Sequence, residues 1–355
     1  MQNLLEVSVL VSTFRPGGVD ITLAGMRDQI FPKEKFEVIL CDRRYERRHD
    51  RVVDLAKKYG VHLIHVPEHR RNKDGFTSFC SGWNTAAALA RGRVLILCQD
   101  YAYCIPGWIE AHLQHHDVPG RYVVAPYAYM SMPPLALRQD FDFVGQNDRG
   151  GQCMEADAML RGDVLDEVFP FRDGPFDPNW LDHCTTNVAP HQDSRLRPQG
   201  PGVPETYCHC KNESLRRELY YNLNGLDERM ERGKGPMDLE LGMRMAENGI
   251  VLWWEQAAFQ AVPNPRPICR TMPFGDMHER LDGRWSYDDG ERYILRRRKE
   301  IVEQGGFRAL NPYDLYDLAK DLEPWRTAET IDVAPLEKTD AEYWGDRHPV
   351  WWDSL

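Results

Sequence analysis

Two aspartates stand directly behind short apolar runs: Asp42 after FEVILC (36–41), and Asp100 after VLILC (94–98) and Gln99. A carboxylate at the end of a strand is a suitable ligand for Mg2+ or Mn2+, and such an ion would neutralise a diphosphate. Taken singly, each aspartate is equally well a turn former. A third, Asp238, follows Gly233-Lys234-Gly235-Pro236 and opens a stretch in which Leu239, Met243 and Ala246 point to one side of a helix. There the helix dipole and free N–H groups favour a charged carboxylate, which serves either as a general base or as an ordinary N-cap. Arg43, Arg44, Arg47, Arg48 and Arg51 crowd behind Asp42. They either hold phosphate or form a solvated helix face, and the second is the expectation.

These residues need a scaffold that brings them to one edge. The runs VSVLV (7–11), FEVILC (36–41), VHLIHV (61–66) and VLILC (94–98) are short, apolar and rich in β-branched residues, the mark of strands buried on both faces. Helix-like stretches at 19–30, 50–59 and 77–91 lie between them. Strand alternating with helix predicts a mostly parallel α/β sheet flanked by helices, with ligands at the carboxyl ends of the strands. The polar residues behind the first run, Ser12-Thr13-Phe14-Arg15, belong to that edge too. From 131 to 206 the pattern breaks into Pro- and Gly-rich loop with one helix near 155–168. Regularity returns as a strand near 206–210, a helix near 213–223 and another over 237–248. The chain beyond 263 is charged and aromatic, with Trp325, Trp344, Trp351 and Trp352. The expected divisions are an α/β half (1–130), a loop-rich insertion (131–206), a second half of the same domain (207–262) and a C-terminal extension (263–355).

Composition narrows the function. With 44 Lys and Arg against 55 Asp and Glu, the net charge of −11 argues against broad charge-driven nucleic-acid binding. No apolar run approaches the roughly 20 residues that span a bilayer, and Met1-Gln2-Asn3 leads into no signal-like segment, so the expectation is a soluble, cytoplasmic protein. Nine scattered cysteines read as reduced, buried thiols. Cys208-His209-Cys210 with His183-Cys184 is an alternative zinc set, though its spacing fits no zinc pattern well.

In their order the motifs resemble the family-two glycosyltransferases of the GT-A fold, which use nucleotide-activated sugars. Val7–Arg15 is similar to the family's opening strand and loop, and Glu37–Asp42 to its second strand, whose aspartate contacts the nucleobase. Trp83–Gly92 resembles the asparagine-bearing small-residue helix, and Cys98-Gln99-Asp100 falls on the metal-binding aspartate-x-aspartate with the last carboxylate retained. Pro106-Gly107-Trp108 looks like the helix start that follows. Asn212–Arg217 with Asn224–Glu228 is similar to a helix and acidic turn, and Asp238-Leu239-Glu240-Leu241-Gly242-Met243-Arg244 to the catalytic motif, with Met237 where the family has glutamate. The match covers about residues 7–110 and 205–260.

The resemblance implies a nucleotide-sugar donor, a UDP-sugar first among them, and sugar transfer with inversion to an acceptor hydroxyl of unknown class. It implies a Mn2+ or Mg2+ ion at Asp100, donor contacts from Thr13, Arg15, Asp42, Asn84 and Asp100, and Asp238 as general base. The insertion and tail would shape the acceptor pocket, while the tail's tryptophans equally suit packing on the domain or a homodimer contact. The replacements at Trp83, Cys98, Gln99 and Met237 motivate a rival reading, a catalytically inactive nucleotide- or glycan-binding protein on the same scaffold. A sugar nucleotidyltransferase is the third, and Ser12–Gly18 lacks the glycine-rich, arginine-bearing loop it needs.

Overall fold

A computed structural model describes residues 5–13, 19–73, 79–100, 102–130, 199–204, 208–232, 237–263, 296–297, 299–303 and 305–347. Arg15, the 155–168 helix, most of the insertion, His183, Cys184, Trp351 and Trp352 lie outside these residues. The apolar runs form β1 (Val7–Thr13), β2 (Phe36–Asp42) and β3 (Leu63–Val66), followed by a short β4 (Arg71–Asn72), then β5 (Val94–Cys98) and the two-residue β6 (Tyr103–Cys104). Four strands that the sequence did not announce complete much of the rest: β7 (Arg121–Val124), β8 (Tyr127–Met130) and, further on, β11 (Val251–Trp254) and β12 (Gln260–Pro263). Between these pairs lie β9 (Gly200–Pro201) and β10 (Asn212–Arg216), and β13 (Glu337–Lys338) closes the series.

The main sheet has eight strands in the order β3-β2-β1-β5-β10-β7-β11-β9. The first four are mutually parallel, and β7 pairs parallel with β11. Strand β10 runs antiparallel between β5 and β7, and β9 antiparallel on the edge. The expected mostly parallel α/β sheet flanked by helices is therefore present. Three strands, β6, β12 and β8, form a second small sheet.

Each face of the main sheet carries its own core. Val7, Val9, Val11, Val38, Leu40 and Ile96 pack on one side with the helices α1 (Val19–Arg27), α2 (Tyr45–Tyr59) and α4 (Trp108–Leu113). Leu10, Ile39, Leu95 and Leu97 pack on the other with α3 (Phe79–Leu89), α5 (Arg217–Asn222) and α6 (Met237–Glu247). The alternation along each strand splits its side chains between the two layers, as a doubly covered sheet requires.

One expectation is corrected. Of the strand expected near 206–210, the described residues 208–210 form none, and 213–223 is not one helix; the strand begins at Asn212 and the helix at Arg217. Asn212 and Ser214 face His112, and Ser214 also His116, whereas Glu213 and Leu215 face the opposite layer. The period of two is there, but it is written in polar residues whose partners are distant in sequence.

The C-terminal extension packs on the second core. Leu315, Leu318 and Leu322 of α7 (Leu315–Leu322) and Trp344 of α8 (Asp340–Trp344) are buried in it. Polar contacts fix the attachment. Arg326 Nη2 donates 2.6 Å to Glu37, a buried carboxylate that also accepts from Ser8 Oγ at 2.7 Å. Arg70 pairs with Glu231 and Asp340 and lies 4.0 Å over the ring of Tyr343. For the described tryptophans Trp325 and Trp344, packing on the domain is what the structure shows.

Removing one partner of a buried ion pair leaves an uncompensated charge. Arg326→Met is expected to lower unfolding free energy by about 3–5 kcal/mol, whereas Lys320→Met, at an exposed pair with Asp317, is expected to leave it nearly unchanged. Urea denaturation of both variants measures the contrast, and equal losses would show that the extension is not anchored through Glu37.

Candidate active site

The carboxyl ends of β1, β2 and β5 lie side by side, with Thr13 opposite Asp42 and Val11 opposite Cys98 in register. Thr13 Oγ1 donates 2.9 Å to Oδ2 of Asp100, so the first and fourth runs of the sequence meet through a side-chain bond between buried residues. Because β10 is antiparallel, its amino-terminal end reaches the same edge. Asn212 pairs with Cys98, and Gln99 N–H donates 2.7 Å to the carbonyl of Lys211.

Asp42 is fully buried, and its four acceptor positions are filled. Oδ1 accepts from Arg44 N–H (2.8 Å) and Arg48 Nη2 (2.8 Å), and Oδ2 from Arg48 Nε (2.5 Å), with His65 Nε2 at 3.0 Å. Burial by itself would raise its pKa, but the Arg48 guanidinium and His65 outweigh that and hold it well below the usual carboxylate range. His65 in turn stacks on His49 with ring centroids 5.1 Å apart. The arginine cluster is thus divided. Arg47 and Arg51 are exposed, as a solvated face requires, while Arg48 turns inward, which corrects the expectation for that residue.

Asn84 is placed elsewhere, on α3 against the turn before α6. Its Nδ2 donates to the Leu226 carbonyl (2.9 Å) and Glu228 Oε1 (3.0 Å), and its Oδ1 accepts from Tyr220 OH (2.9 Å) and Leu226 N–H (2.9 Å). Gly225, at φ +73°, lies against the Asn84 amide where a Cβ would collide.

Asp238 sits in the first turn of α6, partly buried, its Oδ1 accepting from Leu239 N–H at 3.0 Å. Burial raises its pKa above the ordinary carboxylate value, and the positive charge of Lys211 pulls the other way. The helix is pinned two turns on. Glu240 and Arg244 form a doubly hydrogen-bonded pair (2.8 Å each), Arg297 adds a 3.1 Å bond to Glu240, and Asp227 is gripped by Arg229. Arg244 also donates to the carbonyls of Leu223 and Gly225 at 2.9 Å each.

Between Asp100 and Asp238 in this arrangement lies the segment 208–213, which sequence reasoning did not assign to the site. Glu213, wholly buried, accepts from the N–H groups of His209 and Cys210 (the latter at 3.0 Å) and from Tyr122 OH. Burial pushes its pKa up to about 7; the three donors favour the charged form, and the Asp238 carboxylate opposes it. Cys210 is held at φ +49°, an uncommon backbone for a residue with a side chain. The turn aims Lys211 at the ring of Tyr127, 5.3 Å from ammonium to centroid, and His209 packs edge-on to the same ring at 5.8 Å. Cys208 and Cys210 are both buried, and among the described residues no group of three or more His, Cys, Asp or Glu side chains is placed to hold a metal ion.

No family model matches the sequence, and no curated protein matches it. Among solved structures the chain is similar to residues 1–349 of TarS from S. aureus (TM-score 0.46, 10% identity, 94% of this chain and 95% of that one). It is also similar to the mannosyltransferase PcManGT from Pyrobaculum calidifontis, solved with GDP-Man and Mn2+ (TM-score 0.47, 16% identity, 93% and 78%). A third is GalNAc-T7, solved with UDP, GalNAc and Mn2+ (TM-score 0.49, 14% identity); the match takes in 91% of this chain and 55% of that one. No helix among the described residues is long and apolar enough to cross a membrane.

Glu213 and Asp42 supply tests with opposite signatures. Folded Glu213 keeps its proton up to about pH 7, whereas the unfolded carboxyl releases it near 4.5, so this group's stabilisation falls as pH rises between those values. In Glu213→Gln that part of the slope disappears, read as a melting temperature less dependent on pH between 5 and 7.5; parallel curves would refute the assignment. Asp42→Asn leaves Arg48 buried without its carboxylate and is expected to cost about 3–5 kcal/mol at neutral pH, measured by denaturant unfolding.

Proposed function

We propose that the chain is a glycosyltransferase of the GT-A type that moves a sugar, with inversion, from a nucleotide-sugar donor to an acceptor hydroxyl. A UDP-sugar is the favoured donor. The observation that carries this reading is the gathering of Thr13 and Asp100 at the carboxyl edge of a parallel sheet, with Lys211 linking that edge to Asp238. Strand ends of this kind are where α/β sheets bind nucleotides.

In this reading the acceptor oxygen attacks the anomeric carbon from the face opposite the leaving group. The new C–O bond forms as the bond to the β-phosphate oxygen breaks, and the hydroxyl proton passes to the Asp238 carboxylate. A carboxylate whose proton affinity is raised by burial suits that task near neutral pH, provided it is ionised beforehand. The field of Lys211 favours the ionised form. Asp42, its own oxygens occupied, would act at the nucleobase end by fixing Arg48 and His65 as a wall. Arg15 remains a proposed donor contact.

Asp100 fits a divalent cation in a limited way. One carboxylate with the oxygens of a diphosphate is a usual donor set for Mg2+, and Mn2+ accepts the same oxygens. Asp100 would hold the ion, with Thr13 orienting its carboxylate through Oδ2. When bound, the ion supplies Lewis-acid stabilisation of the departing nucleoside diphosphate.

The test is nucleoside-diphosphate release from UDP-, GDP-, dTDP- and CMP-sugars, with and without Mn2+. One donor is expected to turn over in the wild type. Asp238→Asn should lower kcat by about 10²–10⁴-fold while donor binding persists, and Asp100→Asn should weaken nucleoside-diphosphate binding. The rate should rise with pH through the elevated pKa of Asp238. Donor binding without turnover in the wild type, under every condition and with candidate acceptors added, would favour the binding-protein reading, for which Met237 and Gln99 are the motivation.

A further inference from the structure

We infer that Lys211 is a diphosphate-binding residue: its ammonium meets the phosphates of the donor and stabilises the nucleoside diphosphate as it leaves. The inference rests on the glycosyltransferase reading and adds to it a protein-borne cation. Three features carry it. The first is position: the Lys211 carbonyl takes the Gln99 N–H at 2.7 Å, so the residue abuts the strand end that bears Asp100. The second is that the turn is built to a fixed shape. Glu213 receives the N–H groups of His209 and Cys210, and Cys210 is held at φ +49°. Backbone in so sparsely populated a region persists only where its surroundings over-determine it, and it concentrates at functional sites.

The third feature is charge. Lys211 lies over the Tyr127 ring, and its field acts on both Asp238 and His209. Burial first, and then Lys211, lower the pKa of His209 to about 4, so the histidine adds no positive charge near neutral pH. At the neighbouring strand end Cys98 and Gln99 leave Asp100 as the only carboxylate of its tripeptide. An ion held by a single side-chain carboxylate leaves much of the leaving group's charge to other donors. A lysine ammonium is a compact point charge suited to phosphate, and one pre-set by the fold needs little reorganisation as charge develops.

Isothermal titration of UDP, GDP and inorganic pyrophosphate into the full chain, in EDTA and in Mn2+, tests this. Lys211→Met is expected to weaken diphosphate binding about tenfold or more, the loss of one charge-assisted contact. Lys211→Arg should keep most of the affinity, and Asp238→Asn should not weaken it. Lys211 is only partly buried, and a melting temperature close to that of the wild type confirms that the variant is folded. Unchanged affinity in Lys211→Met, in both EDTA and Mn2+, overturns the inference. If affinity is unchanged and the acid limb of the rate profile moves to higher pH, Lys211 serves only to keep Asp238 charged. A wild type that binds none of the three probes overturns the glycosyltransferase reading as well, which separates the two failures.

Discussion

The arrangement depends on one strand running the wrong way. In a purely parallel sheet every strand presents its carboxyl end to the ligand edge, and the next residues enter a crossover. Strand β10 is inserted antiparallel between β5 and β7, so it brings an amino-terminal end, and the turn before it, to that edge. The polar residues of β10 make the insertion stable. Asn212 takes the indole N–H of Trp108 at 2.8 Å and donates to the carbonyls of Pro126 and Ala258, while Ser214 bonds His112 and His116. Both histidines are kept neutral by burial, which lowers their pKa values to about 4 and about 3. Glu213, on the opposite face, shapes the turn that carries His209 and Lys211.

Burying so many charges is tolerable only because each is paired with care. Asp42 with Arg48, Asp227 with Arg229, Glu240 with Arg244 and Arg297, and Glu37 with Arg326 are all partners inside the fold. Such pairs add little net stability over apolar packing, yet breaking one is costly. They therefore act as geometric constraints. Asp238 and Lys211 differ in kind. Both are only partly buried, and the positive charge of Lys211 acts on the Asp238 carboxylate.

What was legible in the sequence follows from where the information lies. The runs at Val7, Phe36 and Val94 announce themselves because strands covered on both faces must be continuously apolar, and the residues behind them mark the ligand edge. Hence Thr13, Asp42 and Asp100 could be placed together. Strand β10 was hidden because its alternation is Asn-Glu-Ser-Leu-Arg, in which polar residues stand where apolar ones give the signal. Their burial depends on His112, His116 and Tyr122, which are 91 to 102 positions away. A lone lysine such as Lys211 carries no pattern at all. The saturation of Asp42 was equally invisible, since one partner is six residues on and another 23.

The same distant pairing explains how the C-terminal extension bears on the site. Asn84 and Glu228 form a hub with Tyr313 and Tyr343, and Asn224, at φ +57°, is fixed by the carbonyls of Ala309 and Tyr313 and the N–H of Leu315. Arg297 adds its bond to Glu240, so residues far along the chain hold both the turn at 224–228 and helix α6. Asp238 stands in the first turn of that helix, and the helix is locked through Arg244 to the same turn. A helix gripped through Arg244 keeps its first turn, and with it the proposed base Asp238, within a narrow range of positions, and the Leu239 N–H bond orients the carboxylate. That is the condition a base must meet if it is to reach an acceptor hydroxyl while staying unpaired enough to take its proton.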